Sequence, residues 1–429
     1  MKKLIRKLFT IFLVFALGYF VYINYIKETV AFKVIEEEKV SIDKYFVYGN
    51  HLNIEGNLEI TDKNYDNIYL TLYNGEDKDI EIKTDIEDNK INFTTSESIN
   101  EGIYLDDIER GTYYLFIKIN YKSEESEEVI SKYYALNNNT KYKTLDYYTL
   151  SKYNNKIIIN SDNDYPTMML NVTENDNKDI YDITIDPGHG GMDSGAVNGK
   201  YKESDFTMKI SKRIESNLKK EGLKVKLTHD EKDLANDETL DEYDTHGRAV
   251  IPNEVKSKYT FSIHINTNTS KNVKGVEVYT PANINYDLAS SIADSIVNNT
   301  KLSYSTNKLY KVSDGVYTHN FTDSEISSAK ESAREKNRNI YDITTNSNYL
   351  YMIRETGGFM TGAYVDNRNK AKVGENPYYD SNIGNEAYLI EVAYMSNQSD
   401  LDILLNSINF IADSISNAIK EEINKKSVK

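Results

Sequence analysis

Residues 182–191 read Asp182-Ile183-Thr184-Ile185-Asp186-Pro187-Gly188-His189-Gly190-Gly191. A short run of β-branched residues closes in a glycine-rich loop that presents one histidine. Ile and Thr suit a pleated, buried surface, and glycine lets the backbone bend closely around whatever the imidazole binds. The same alternation continues outward. Over residues 204–220, Phe206, Ile210, Ile214 and Leu218 recur every four positions, making one apolar helix face that Gly222 ends. Strand-like runs KVKLTH (224–229), YTFSIHIN (259–266), GVEVYT (275–280) and AYLIEVAYM (387–395) follow, with helical stretches between them. Repetition of strand and helix predicts a C-terminal α/β domain over residues 180–429. Its sheet should be twisted, mainly parallel and flanked by helices, with sites at the carboxyl ends of the strands. A last amphipathic helix near residues 398–424 should cover that sheet.

Residues 45–172 follow a different period. Ile68, Leu70 and Leu72 alternate with Tyr69, Thr71 and Tyr73, and Leu115, Ile117 and Ile119 alternate after the turn at Gly111. Short alternating segments separated by Asn, Asp and Gly predict an all-β, immunoglobulin-like sandwich. Its tyrosines suit half-buried strands, and a glycan stacked on them is the competing reading. Ahead of it, Lys2, Lys3, Arg6 and Lys7 precede an uncharged run over residues 8–26. That run is long enough to span a bilayer, so residues 1–27 are expected to be a cytoplasmic tail and transmembrane helix, with residues 28–44 as a stalk. A cleaved signal peptide is the rival, but its apolar region is usually shorter and a small-residue cleavage pattern should follow. The expected location is the cell membrane in a single pass, with the body on the outer side, or secreted if the segment is cleaved.

Composition narrows the partners. A chain of 429 residues exceeds one ordinary core and implies two or three folded units. Net charge of −16 without a long basic block in the folded part argues against nucleic acid. With no cysteine, any metal must be held by histidine and carboxylate.

Four residues stand where chemistry is expected. His189 lies in the glycine-rich loop, Glu203 at the start of the amphipathic helix, and His264 at the end of a strand. Two histidines and a carboxylate from three neighbouring elements form an open zinc set. Glu391 lies inside the apolar run Tyr388-Leu389-Ile390-Glu391-Val392-Ala393-Tyr394, and a charge in a buried strand needs a reason. Glu277 and Glu386 are competing acids, while His51, His229, His246 and His319 lack such surroundings.

In this order the motifs IDPGHGG, Glu203, Leu227-Thr228, Arg248, SIHIN, GVEVY and LIEVAYMSN resemble the zinc-dependent N-acetylmuramoyl-L-alanine amidases of the amidase-3 family, over about residues 180–425. The resemblance implies a twisted sheet flanked by helices, zinc held by His189, Glu203 and His264, and Glu391 as the acid/base. The implied substrate is peptidoglycan, cut between N-acetylmuramic acid and L-alanine. A zinc peptidase acting within the stem peptide and a catalytically silent wall-binding protein are the alternatives. His229 stands where the family commonly has arginine, and EVAYMSN replaces the usual ELGFLSN. The long span between His264 and Glu391 implies an insertion at about residues 307–380, expected to form a wall of the cleft or a plug. Arg354 and Arg368 in it could meet a stem-peptide carboxylate. Arg248 is a third candidate for substrate contact, though it better suits fixing the loop beside the site. No motif identifies a protein activator.

Overall fold

A computed structural model describes residues 40–60, 64–87, 90–122, 129–137, 144–160, 167–230, 248–249, 251–335, 343–356 and 383–425. The N-terminal part is built of strands: β1 (Val40–Tyr48), β2 (His51–Glu59), β3 (Tyr65–Tyr73), β4 (Asp77–Glu81), β5 (Lys83–Glu87) and β6 (Lys90–Thr94) come first. β7 (Ile103–Tyr104), β8 (Gly111–Lys122), β9 (Val129–Asn137), β10 (Leu145–Tyr148), β11 (Asn155–Asn160) and β12 (Met169–Glu174) complete it. The period-two pattern closes on itself across the β3–β8 pair, where Ile68 faces Ile119, Leu70 faces Ile117 and Leu72 faces Leu115. These side chains enter one apolar core with Leu52 and Ile54 of β2 and Ile157 and Ile159 of β11.

The sandwich expectation is corrected at its edge. A parallel pairing of β1 with β9, Val40 opposite Leu136 and Ser41 opposite Asn137, joins the strands into one continuous sheet. Alternation marks which face of a strand is buried but not which edges hydrogen-bond, so two pairs of residues decide between one sheet and two. The transmembrane expectation at residues 8–26 falls outside the described residues. Among those described, no helix is long and apolar enough to cross a membrane, and the N-terminal part is β-rich.

The C-terminal part contains β13 (Ile183–Pro187), the hairpin β14 (Val197–Asn198) and β15 (Tyr201–Lys202), then α1 (Glu203–Lys220) and β16 (Val225–Leu227). α2 (Ile251–Glu254), β17 (Tyr259–Asn266), β18 (Glu277–Tyr279), α3 (Asp287–Asn299), β19 (Lys311–Ser313) and β20 (Val316–Tyr317) follow. α4 (Asp323–Glu335), α5 (Tyr351–Thr356), β21 (Ile383–Gly384), β22 (Glu386–Tyr394) and α6 (Gln398–Lys425) end it. Seven strands form one sheet in the order β16-β13-β17-β22-β18-β20-β19. Among the described residues, four of the six pairings in this α/β sheet are parallel, but the sheet is mixed: β22 meets β18 antiparallel, and β20 meets β19 antiparallel. Strand direction is not encoded in hydrophobic periodicity, which reads the same both ways.

Phe206, Ile210, Ile214 and Leu218 of α1 are buried against Ile183, Ile185 and Ile263 of the sheet, together with Ile411, Ile415 and Ile419 of α6. Phe46, Tyr48 and Leu150 from the N-terminal part belong to this same core. Backbone pairing reinforces the contact, since β21 adds to β1 in parallel as the thirteenth strand of the large sheet. Buried Asn100 completes it: its amide donates to Glu386 Oε1 and to the Asn285 carbonyl, each at 3.1 Å, and accepts from Asn285 N at 2.7 Å.

Candidate active site

β13 and β17 run in parallel with Pro187 opposite Ile263, so their carboxyl ends open side by side. The loop after β13 carries His189 with φ of 61°, a left-handed conformation unfavourable for a side chain with a Cβ. A tight turn holds it there. Gly190 N donates to the Asp193 carbonyl at 2.8 Å, Asp193 N returns the bond at 3.0 Å, and Asp193 Oδ1 accepts from Gly195 N at 2.9 Å. The other Asp193 oxygen, Oδ2, lies 2.7 Å from His189 Nδ1, which orients the ring and leaves Nε2 facing inward.

Two glycines make room for this packing. A Cβ at Gly188 would stand 2.6 Å from His264 Cε1, and one at Gly195, where φ is +62°, would stand 2.6 Å from both Glu203 Oε2 and His189 Cδ2. Glu203, the first residue of α1, is buried under that loop. Its Oε2 accepts from Ala196 N and its Oε1 from Ile265 N, both at 2.8 Å. Oε1 is also 3.2 Å from His189 Nε2 and 3.2 Å from His264 Nδ1.

The ligand atoms of His189, Glu203 and His264 lie within 4.8 Å of one another, and they form the metal-capable cluster found among the described residues. Ligands about 2.1 Å from a tetrahedral zinc lie roughly 3.4 Å apart, close to the two observed separations, and the N,O,N donor set suits that ion. Electrostatics agrees with a cation site. Burial opposes ionisation of Glu203, yet the two imidazoles overcome it and hold the carboxyl far below its usual range. Burial likewise disfavours a charged His189, but Glu203 and Asp193 raise it to about 9.

Glu391 stands in register with His264 on one side and with Glu277 on the other, so the three side chains share one face of the sheet. The register shifts just beyond, between the His264–Glu391 and Asn266–Tyr394 pairs, a bulge of the kind that re-aims side chains beside a site. Glu391 is half-buried, and its Oε2 is buried without a hydrogen-bond partner among the described residues. Burial, then the Glu203 and Glu277 charges, push its carboxyl well above the usual range.

The competing acids sit differently. Glu277 is buried with both oxygens hydrogen-bonded, and Glu386 begins β22 at the far end of the strand, bound by Asn100 and by the Tyr388 hydroxyl. Arg248 is buried in a two-point pair with Asp186, Nε to Oδ1 at 3.0 Å and one terminal nitrogen to Oδ2 at 3.2 Å. Arg354 is buried too and donates to the Asn348 carbonyl at 2.9 Å and the Tyr349 carbonyl at 2.8 Å. Arg368 and His246 lie outside the described residues. Outside the cluster, His51 packs on Tyr104, His229 bonds Thr228, and His319 stacks between Tyr310 and Tyr349. Sequence reasoning missed Asp193 and gave Glu277 no role beyond that of a rival base. Asp193 is visible as an acid in the ligand loop, but which atom it faces depends on the turn.

Residues 183–421 match the amidase-3 family, described as N-acetylmuramoyl-L-alanine amidase. Over 100 residues the chain is 37% identical to "Probable cell wall amidase LytH" of Staphylococcus aureus, covering 23% of this chain and 30% of that protein's length. Among solved structures, N-acetylmuramoyl-L-alanine amidase AmiC2 of Nostoc punctiforme is 22% identical with a TM-score of 0.33, over 56% of this chain and 96% of that one. Cwp6 from Clostridium difficile is 22% identical with a TM-score of 0.37, over 56% of this chain and 29% of that one.

Proposed function

Because the chain belongs to the N-acetylmuramoyl-L-alanine amidase family through residues 183–421, we propose that it hydrolyses the amide joining N-acetylmuramic acid to L-alanine in peptidoglycan, using zinc held by His189, Glu203 and His264. The observation that carries this reading is the placement of Glu391 beside His264, with one carboxylate oxygen that has no hydrogen-bond partner among the described residues. Zinc bound there supplies Lewis acidity, which makes water a competent nucleophile near neutral pH. Asp193 orients the His189 ring, while Ala196 N and Ile265 N orient Glu203, so the donor atoms need not reorganise.

Glu391 takes a proton from the attacking water as its oxygen bonds to the lactyl carbonyl carbon. The carbon–nitrogen bond then breaks, and Glu391 passes that proton to the departing L-alanine nitrogen. A free lactyl carboxylate and a peptide with a new amino terminus result. Peptidoglycan lies outside the cytoplasmic membrane, so on this reading the chain works on the wall side. The test is mass spectrometry of peptidoglycan digested with the purified chain. Stem peptides beginning at L-alanine, with intact glycan, are expected. New termini only within the stem peptide would replace this reading with a peptidase, and no new termini with zinc bound would leave a wall-binding protein.

A further inference from the structure

Glu277 is a fully buried carboxylate to which the reaction above gives no task. Its surroundings are specific. Ser305 Oγ donates to Oε1 at 2.6 Å, and the Tyr394 hydroxyl donates to the same oxygen. Tyr279 OH donates to Oε2 at 2.7 Å, joined by Asn266 Nδ2 at 3.2 Å. These donors come from β18 itself, from β17, from β22 and from the segment after α3. Two donors on each oxygen satisfy this buried carboxyl group and fix its orientation.

Asn266 and Tyr394 are also the cross-strand pair just beyond the bulge, while His264 and Glu391 are the pair just before it. One carboxylate therefore clamps the two strands at the step that sets how Glu391 leaves the sheet, and it does so from the position directly opposite Glu391 on β18. We infer that Glu277 is a positioning residue for the acid/base: its four hydrogen bonds hold the β17–β22 bulge in the register that aims Glu391 at the substrate carbonyl. This rests on the reading that Glu391 moves the proton. Glutamine at position 277 keeps the shape, but its amide nitrogen can meet the Ser305 and Tyr394 hydroxyls only if both turn to accept, and bonds to a neutral amide replace bonds to a carboxylate, so the clamp loosens. Misplacing a reacting group by about 1 Å costs on the order of 100-fold in rate.

A double-mutant cycle on the full chain tests the inference. Glu277→Gln should lower kcat about 10- to 100-fold, with KM within about twofold and zinc content unchanged. In the Glu391→Gln background the same change should cost almost nothing more, because residues that act as a unit are non-additive. An equal further loss in that background, or loss of zinc, would overturn the inference and make Glu277 a general support of the fold. Tyr394→Phe removes a single donor and carries the same cycle should Glu277→Gln not fold. The cycle is readable whichever amide is cut, so product identity judges the parent reading and additivity judges Glu277.

Discussion

His189 occupies an unfavourable backbone conformation, and Gly195 faces it without a side chain, so that one imidazole nitrogen meets Glu203 and the other meets Asp193. That arrangement has a measurable consequence. A group raised to about 9 is protonated at neutral pH, and a metal must displace its proton in order to bind. Zinc affinity of the purified chain should therefore rise about tenfold per pH unit between about pH 6.5 and 8.5, as seen by competition with a chelating dye. A flat profile would mean that His189 is already neutral or is not a ligand. Glu391 could be singled out from the sequence because a carboxylate in an apolar run is conspicuous. Arg354 could not be read this way, because its partners are backbone carbonyls, which leave no trace in side-chain type.

At the scale of elements, the carboxyl ends of β13 and β17 are tied by Asp186, which accepts from Arg248, from Thr228 Oγ1 at 2.7 Å and from Ser262 Oγ at 2.6 Å. Burial alone would raise this carboxyl, but Arg248, His229 and Ser262 outweigh it and hold it below the usual range. The sign follows from linkage. Since the folded value is depressed, the unfolded chain takes up the proton first as pH falls, so this group's stabilisation is complete above about pH 4 and disappears below it. Removing the cation with Arg248→Met leaves a buried, uncompensated anion, which should cost about 3–5 kcal/mol at pH 7. Urea unfolding should show that difference narrowing as pH falls, because the variant's Asp186, still buried but without Arg248, takes up its proton at a higher pH than the parent's. A constant difference would mean that Arg248 contributes packing rather than charge. Both sides of this pair were present as motif residues, yet only the fold joins them, because Asp186 ends a strand and Arg248 precedes the short helix α2 of a distant segment.

Across the whole molecule, the N-terminal sheet and the C-terminal α/β unit share apolar core, a strand pairing and the Asn100 bonds, so they should unfold as one cooperative unit. Asn100→Ala leaves Asn285 N and Glu386 each short of a partner at this junction and should cost about 1–3 kcal/mol. Calorimetry should show a single transition that moves as a whole. Two separate transitions in the unmodified chain would show that the junction does not couple the units.

The run of motifs from IDPGHGG to LIEVAYMSN determined the family, and local periodicity determined the α/β and β-rich parts, because strand, loop and helix preferences are carried by neighbouring residues. Tertiary structure alone decided that β1 joins β9, that β18 runs against β22, that Glu277 is gripped by four donors, and that Arg248 and Arg354 are held inside. Each of those depends on groups far apart along the chain, whose edges, directions and hydrogen-bond partners have no period to betray them.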